Sequence, residues 1–350
     1  MIGTYKYLLV AVINIVSSVW RSVDLHPLII GHRGSSGMYP EHTALAYRKA
    51  AEHGADYIEC DVEVTKDLEL VCSHEPWLSS VIDKSLYPEF TSRETTYEVM
   101  DDDPDRNWND KGNITDWFIW DFTLGELKEM RRIQRLGYRD PSYNNQETFC
   151  TLQEYINIAK NANVGIYPEL QRATTTNKIL KSRGHGVSVY DLILKVLTRN
   201  GYEDANSKCF LQSFERTDFE YLQNKTGLKR IFLMGNTNLD LWKDIIDWSI
   251  VYNVDGFGIN KDAIATKNET NHINGTNPMF IEDAHAIRKQ IHVWTFRNEY
   301  MHLAWNYGQD PYTEYDFFLR MNIDGYLTDF SRTARRFLQW KERVVSKREL

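Results

Sequence analysis

Short apolar segments typical of strands alternate with amphipathic segments typical of helices along most of this chain, and this alternation constrains its fold more than any other feature. The strand candidates are residues 27–32, 56–64, 69–73, 164–170, 208–214, 231–234, 256–259, 292–296 and 325–329. Helix candidates lie between most of them, at residues 43–53, 152–160, 189–198 and 282–289. Strands connected through helices pair in parallel, so the sequence predicts a parallel sheet covered by helices.

The number of strands favours a closed (β/α)8 barrel over an open sheet. The sequence has no Gly-x-Gly-x-x-Gly fingerprint, which is typical of open sheets that bind dinucleotides. Functional residues of a barrel lie at the C-terminal ends of its strands. His32, Glu59, Asp61 and Glu169 all fall late in their proposed strands. The alternation breaks between about residues 78 and 149, a stretch rich in aromatic and acidic residues that we interpret as an insertion.

Size and charge limit the function. With 350 residues, 42% of them hydrophobic, the chain can bury a large core in one α/β domain or two smaller ones. The net charge is −8 at pH 7, and the only basic cluster is a short one near the C-terminus. These features argue against nucleic acid as the main partner, so an anionic substrate must be bound by local positive charge.

The first residues are typical of a secretory signal. Lys6 precedes an apolar run at residues 7–16, and Ser17 and Ser18 fit the small-residue cleavage rule, so we predict a signal peptide at residues 1–18. An uncleaved anchor is the alternative, whereas no later segment is predicted to span a membrane. Secretion, or residence in the lumen of the secretory pathway, fits the glycosylation triplets that begin at Asn113, Asn224, Asn268 and Asn274.

Residues 56–64 and 69–73 predict a β-hairpin. A loop over residues 66–69 would place Asp61 opposite His74 and Glu63 opposite Cys72. Because side chains alternate along a strand, Glu59, Asp61 and His74 would then share one face.

The same register places Cys60 and Cys72 on opposite faces, where they could not pair. We therefore expect mostly buried free thiols among the four cysteines, which include Cys150 and Cys209.

Glu59, Asp61 and Glu169 are the candidate metal ligands. The alternative is that each carboxylate pairs with a lysine or arginine, or faces solvent. Three carboxylates about 4 Å apart would repel by roughly 4 kcal/mol per pair at an effective dielectric constant near 20, more than a surface ion pair offsets. A divalent cation relieves this repulsion, and oxygen-only ligands favour Ca²⁺ or Mg²⁺.

His32 and His74 are candidates for the acid and the base of a displacement at phosphorus. Metal ligation or a core position are the alternatives, but two histidines near one carboxylate set favour catalysis, since imidazole exchanges protons near neutral pH. Arg33 follows His32 directly and could bind a phosphate oxygen, provided that the chain has already turned there.

An ordered series of motifs resembles the glycerophosphodiester phosphodiesterase family. The series runs from about residue 28 to residue 340, and the insertion resembles that of the larger bacterial periplasmic and plant members. Its motifs are His32-Arg33-Gly34, Pro40-Glu41-His42-Thr43, Glu59-Cys60-Asp61, His74-Glu75, Tyr167-Pro168-Glu169, Gln212-Ser213-Phe214 and Leu327-Thr328-Asp329-Phe330.

The resemblance implies a distorted (β/α)8 TIM barrel over residues 24–345, with a small inserted domain at about residues 78–149. It implies hydrolysis of glycerophosphodiesters, which are small-molecule substrates, to glycerol 3-phosphate and an alcohol. His32 and His74 match the acid and base of the family, and Arg33 matches its phosphate-binding arginine. Glu59, Asp61 and Glu169 match its ligands for Ca²⁺ or Mg²⁺.

Two positions of the predicted substrate pocket need comment. The family usually has a lysine where this chain has Gln171, so affinity or substrate range is expected to differ. Trp294 either forms a wall of the pocket or lies buried in the barrel. A phospholipase D-like activity on lysophospholipids or sphingomyelin is a second candidate function, and a non-catalytic secreted binding glycoprotein is a third.

Overall fold

The structure is a computed structural model that describes residues 26–99, 112–235 and 239–346. The predicted signal peptide, residues 1–18, lies outside the described residues. The strands are β1 (Leu28–Gly31), β2 (Tyr57–Val64), β3 (Leu70–Cys72), β4 (Thr95–Val99), β5 (Gly112–Asp116), β6 (Gly165–Leu170), β7 (Phe210–Ser213), β8 (Lys229–Met234), β9 (Gly256–Asn260), β10 (Ala265–Lys267), β11 (Ile273–Thr276), β12 (Gln290–Phe296) and β13 (Gly325–Thr328).

Helices connect most of these strands. The α-helices are α1 (Ala44–Glu52), α2 (Leu124–Glu129), α3 (Leu152–Asn161), α4 (Ala173–Ser182), α5 (Val189–Arg199), α6 (Arg216–Leu222), α7 (Leu239–Val251), α8 (Lys261–Ile264), α9 (Met279–Ala286), α10 (Pro311–Arg320) and α11 (Ser331–Ser346). Short 3₁₀ helices lie at Lys84–Leu86, Pro88–Arg93, Ile119–Asp121, Tyr300–His302 and Trp305–Tyr307. In the described part of the chain, no helix combines the length and the apolar character needed to cross a bilayer.

Eight parallel strands form a closed barrel, which confirms the predicted (β/α)8 fold. Their order is β1, β2, β6, β7, β8, β9, β12 and β13, and β13 pairs with β1. Ile30, Tyr167, Phe210, Ile231 and Leu327 form an apolar cluster from five of these strands. A larger apolar layer packs the helices against the outside of the barrel.

Local sequence signals define several helix ends. The Thr43 hydroxyl accepts a hydrogen bond from the backbone of Ala46 and caps α1, and Gly54 follows the helix at φ +89°. Helix α2 and helix α3 begin with capping boxes, at Thr123 and Thr151. The helix predicted at residues 282–289 instead spans Met279–Ala286, because it begins directly after Pro278.

The described residues of the insertion contain the β4–β5 hairpin, three short 3₁₀ helices and α2. Their apolar side chains form a cluster of their own, which includes Leu78, Trp117, Phe122 and Met130. The limits of the insertion and its description as a separate domain stay predictions.

The hairpin prediction was correct in topology and wrong in register by one residue. Val62 pairs with Cys72 and Glu63 with Val71. The backbone amide of Thr65 donates to the carbonyl of Glu69, and Leu68 adopts a left-handed φ of +65°, so the loop is one residue shorter than expected.

This register corrects the prediction for the cysteines. Cys60 and Cys72 lie on the same face of the hairpin, with Cα atoms 5.7 Å apart, and form a disulfide. The expectation that they could not pair was wrong because it depended on the longer loop. Cys150 and Cys209 are buried free thiols, as expected.

The disulfide is expected to stabilise the barrel. Replacing both Cys60 and Cys72 with alanine should lower the free energy of unfolding by about 3 kcal/mol, since the crosslink restricts the unfolded chain. Urea unfolding with and without a reductant measures this effect. The reductant should destabilise the wild type and a Cys209→Ala control, but not the double variant. Equal unfolding of the wild type under both conditions would contradict the crosslink.

Candidate active site at the barrel mouth

Three carboxylates meet on two neighbouring strands, β2 and β6. Glu59 and Asp61 lie two positions apart on β2, and Asp61 pairs in register with Glu169 on β6. One carboxylate oxygen of each residue lies within 4.8 Å of those of the other two, and all three side chains are buried. Burial and the neighbouring carboxylates of Asp61 and Glu169 raise the pKa of Glu59 well above its usual range. Three buried oxygen donors that repel one another fit a hard divalent cation such as Ca²⁺ or Mg²⁺.

Asp61 is held in place by a second layer of polar residues. His42 Nε2 lies 2.9 Å from an Asp61 carboxylate oxygen, and His42 Nδ1 lies 2.8 Å from the Tyr47 hydroxyl. Burial alone would raise the pKa of Asp61, but His42 and Arg33 outweigh it and hold that pKa well below its usual range. Asp61 is therefore ionised and oriented towards the other two carboxylates.

His32 and His74 each bind a carboxylate through Nδ1. His32 Nδ1 lies 2.6 Å from Asp329, and His74 Nδ1 contacts the adjacent Glu75. A carboxylate accepts the hydrogen bond, so Nε2 is the basic nitrogen of each neutral ring. Burial, reinforced by the charge of Arg33, lowers the pKa of His32 to about 4 and that of His74 to about 3. Both rings are therefore neutral at pH 7, and each has an unprotonated Nε2.

Arg33 faces the same space because β1 ends at Gly31 and Arg33 adopts a left-handed φ of +59°. The turn that the sequence analysis required is therefore present. Its backbone amide donates to Glu59 at 2.6 Å, and its guanidinium lies 3.3 Å from Glu41 and 3.5 Å from Asp61. Arg33 thus contacts two members of the carboxylate cluster, Glu59 through its backbone and Asp61 through its side chain.

One cavity of about 360 Å³ collects most of the predicted site residues. Its lining includes His32, Arg33, Asp61, His74, Glu169 and Trp294. Trp294 thus lies in the cavity wall, where its indole donates to the carbonyl of Gly258 and packs edge-on against Phe214. Glu59 lies behind this lining as a member of the carboxylate cluster.

Gln171 lies outside the cavity lining. Its side-chain amide donates to the backbone carbonyl of His74 at 2.9 Å, and Arg172 donates to the same oxygen. Substrate binding by Gln171 therefore stays a prediction, while its contact indicates a role in holding the segment that carries His74.

The comparisons with known proteins agree with this geometry. A sequence profile of the "Glycerophosphoryl diester phosphodiesterase family" matches residues 32–333. The chain belongs to this family. A member from Arabidopsis thaliana, "Glycerophosphodiester phosphodiesterase GDPD6", is 33% identical over 339 residues, which cover 90% of this chain and 87% of that protein. A "Glycerophosphodiester phosphodiesterase" of Haemophilus influenzae is 23% identical over 89% of this chain and 90% of its own length.

A solved structure has the same fold. The Oleispira antarctica phosphodiesterase, described in complex with the product sn-glycerol-3-phosphate, matches with a TM-score of 0.60 at 18% identity. The match covers 89% of this chain and 97% of that one. Family membership and the barrel fold are thereby established.

Sequence reasoning missed several residues of the family site. It assigned no role to His42 or Asp329, although both lie in quoted motifs. Asp329 accepts hydrogen bonds from His32 and from two arginines, Arg139 and Arg297. Arg139 belongs to the insertion and lies 190 residues before Asp329. Neither spacing nor periodicity could have predicted that contact.

Proposed function

We propose that this protein is a divalent-cation-dependent phosphodiesterase that hydrolyses glycerophosphodiesters to glycerol 3-phosphate and an alcohol. One observation carries the proposal: two carboxylate-bound histidines and two of the three clustered carboxylates line a single cavity. The product complex described for the Oleispira protein supports the substrate class.

The histidines supply the proton transfers. In the forward reaction, one imidazole takes the proton of the attacking water or substrate hydroxyl while a P–O bond forms. The other imidazole, protonated in the substrate complex, gives its proton to the leaving oxygen as the second P–O bond breaks. The negative charge of a bound diester would favour this protonated form, because it opposes the burial that lowers the pKa of both rings.

The remaining residues bind and orient. Glu59, Asp61 and Glu169 would hold Ca²⁺ or Mg²⁺, which would stabilise negative charge on the phosphoryl group. Arg33 would bind a phosphoryl oxygen, and Trp294 would pack against the substrate from the cavity wall. Asp329 and Glu75 orient the histidine rings and would stabilise each imidazolium as it forms.

We also propose passage through the secretory pathway and glycosylation there. Asn113, Asn224, Asn268 and Asn274 are all exposed, as attachment of a glycan requires. The Cys60–Cys72 disulfide supports an oxidising compartment.

A head-group panel tests the substrate class. We expect hydrolysis of glycerophosphocholine and little or no hydrolysis of lysophosphatidylcholine, since the cavity is lined mainly by charged and polar side chains. Release of glycerol 3-phosphate measures the first reaction, and release of choline measures both. Preference for the lysophospholipid would favour the phospholipase D-like alternative, and activity on neither would favour the binding protein.

A further inference from the structure

Four cationic side chains line the cavity, and in three of them a terminal nitrogen lies against a carboxylate. The Arg33 guanidinium contacts Glu41 and Asp61. Lys261 Nζ donates to Glu314 at 2.7 Å and to the backbone carbonyl of His302 at 2.9 Å. Lys267 Nζ lies 2.8 Å from Asp262.

Arg297, the fourth, is held at one end only. Its Nε donates to an Asp329 carboxylate oxygen at 3.0 Å. Its two terminal nitrogens have no hydrogen-bond partner among the residues that the structure describes, and its side chain is 23% exposed at the cavity wall. Because guanidinium nitrogens donate in one plane, a group fixed at Nε presents the remaining donors in a defined direction.

Asp329 places this arginine beside the reacting groups. The second Asp329 carboxylate oxygen lies 2.6 Å from His32 Nδ1. One carboxylate therefore spans a catalytic imidazole and the Arg297 guanidinium. Because His32 and Arg297 both line this cavity, a phosphodiester bound in it faces both side chains.

We propose that Arg297 is a second anion-binding residue of the cavity, which donates from its terminal nitrogens to a phosphoryl oxygen of the diester. The proposal rests on the proposed function and deepens it. A phosphodiester next to three carboxylates needs charge-assisted donors besides Arg33, and no other described residue uses the two terminal nitrogens of Arg297.

Arg139 provides a matched comparison. It donates to the same Asp329 oxygen as Arg297, at 2.5 Å, and it also donates to Glu299 at 2.7 Å and to the Ser36 carbonyl at 3.1 Å. Arg139 is buried, and it lies outside the cavity lining. Arg139 therefore positions Asp329 without access to a ligand, whereas Arg297 both contacts Asp329 and lines the cavity.

The test combines binding and kinetics for Arg297→Gln, Arg297→Lys, Arg139→Gln and an exposed control, Arg320→Gln. Binding of sn-glycerol 3-phosphate to the cation-loaded protein is measured by calorimetry. We expect Arg297→Gln to raise its dissociation constant, and the KM for glycerophosphocholine, by about 10- to 100-fold, the range for a charged hydrogen bond. Arg297→Lys should lose less, because it keeps the charge. Arg139→Gln should lower kcat and leave the dissociation constant within about twofold, since it lacks contact with the ligand.

Several results would overturn the proposal. Unchanged binding of sn-glycerol 3-phosphate in both Arg297 variants, with only kcat or the pH profile altered, would reduce Arg297 to a positioning residue. A KM effect with glycerophosphoserine but not with glycerophosphocholine would assign Arg297 to an anionic leaving group instead. Should the wild type hydrolyse neither diester, the proposed function fails, but binding of sn-glycerol 3-phosphate and inorganic phosphate still decides the role of Arg297. Thermal melting shows whether each variant folds. If Arg297→Gln does not fold, the binding measurement is made on Arg297→Lys.

Discussion

Replacing either His32 or His74 with asparagine should lower kcat for glycerophosphocholine by about 10²- to 10⁴-fold, the usual contribution of a general acid or base. Each ring has Nδ1 on a carboxylate and lines the cavity with Asp61 and Glu169. Asparagine keeps a polar side chain of similar reach but cannot transfer a proton near neutral pH. Initial rates of choline release measure the effect, and thermal melting checks the fold.

The leaving group separates the acid from the base. A p-nitrophenyl diester releases a phenolate that needs no proton, so the variant that lacks the general acid should recover much of its rate on that substrate. The variant that lacks the base should remain slow on both substrates. His272→Asn, at an exposed position, is the matched control and should be unaffected. Wild-type rates in either active-site variant would contradict the assignment of that histidine.

The barrel was predictable because its signals are local. A parallel strand is buried on both faces, so its sequence is an apolar run. Capping residues such as Thr43, Thr123 and Thr151 indicate where a helix begins to within a few residues. The hairpin register failed because it depends on one backbone conformation, the left-handed Leu68, which a leucine seldom adopts. That single residue also decided whether Cys60 and Cys72 could pair.

The candidate site was predictable where it depends on strand pairing, and not where it depends on loops. Glu59, Asp61 and Glu169 converge because β2 and β6 pair in parallel and residues two positions apart on a strand share one face. Asp329 meets Arg139 and Arg297 only through tertiary packing of the insertion and of the segment after β12. Gln171 was predicted in the pocket because the family usually has a lysine at that position. Its amide donates to the His74 carbonyl, and substrate binding by Gln171 stays a prediction.

Removing divalent cations with a chelator should lower activity by about 10³-fold or more, since a bound cation stabilises the negative charge that develops in the transition state by several kcal/mol. Adding back Ca²⁺ or Mg²⁺ should restore the rate, and the more effective ion identifies the preferred cofactor. Among the described residues, the cationic side chain in contact with the cluster is Arg33, and it is shared with Glu41. Activity that survives complete chelation would contradict the cation-dependent mechanism.

The melting temperature provides a second measurement of the same site, because Glu59→Gln should have opposite effects on it without and with a bound cation. The pKa of Glu59 is raised in the folded protein, so its ionisation destabilises the cation-free fold as the pH rises above about 4.5, where the unfolded chain already loses this proton. Glu59→Gln cannot ionise, so at pH 7 its cation-free form should melt at or above the wild-type temperature.

Millimolar Ca²⁺ or Mg²⁺ should raise the melting temperature of the wild type but not of Glu59→Gln. Glu63→Gln changes an equally buried carboxylate of β2 that lies outside the ligand cluster, so it should keep the cation response. Because the two substituted residues lie only four positions apart on one strand, a response lost in both would indicate a general effect of charge on β2 rather than coordination by Glu59.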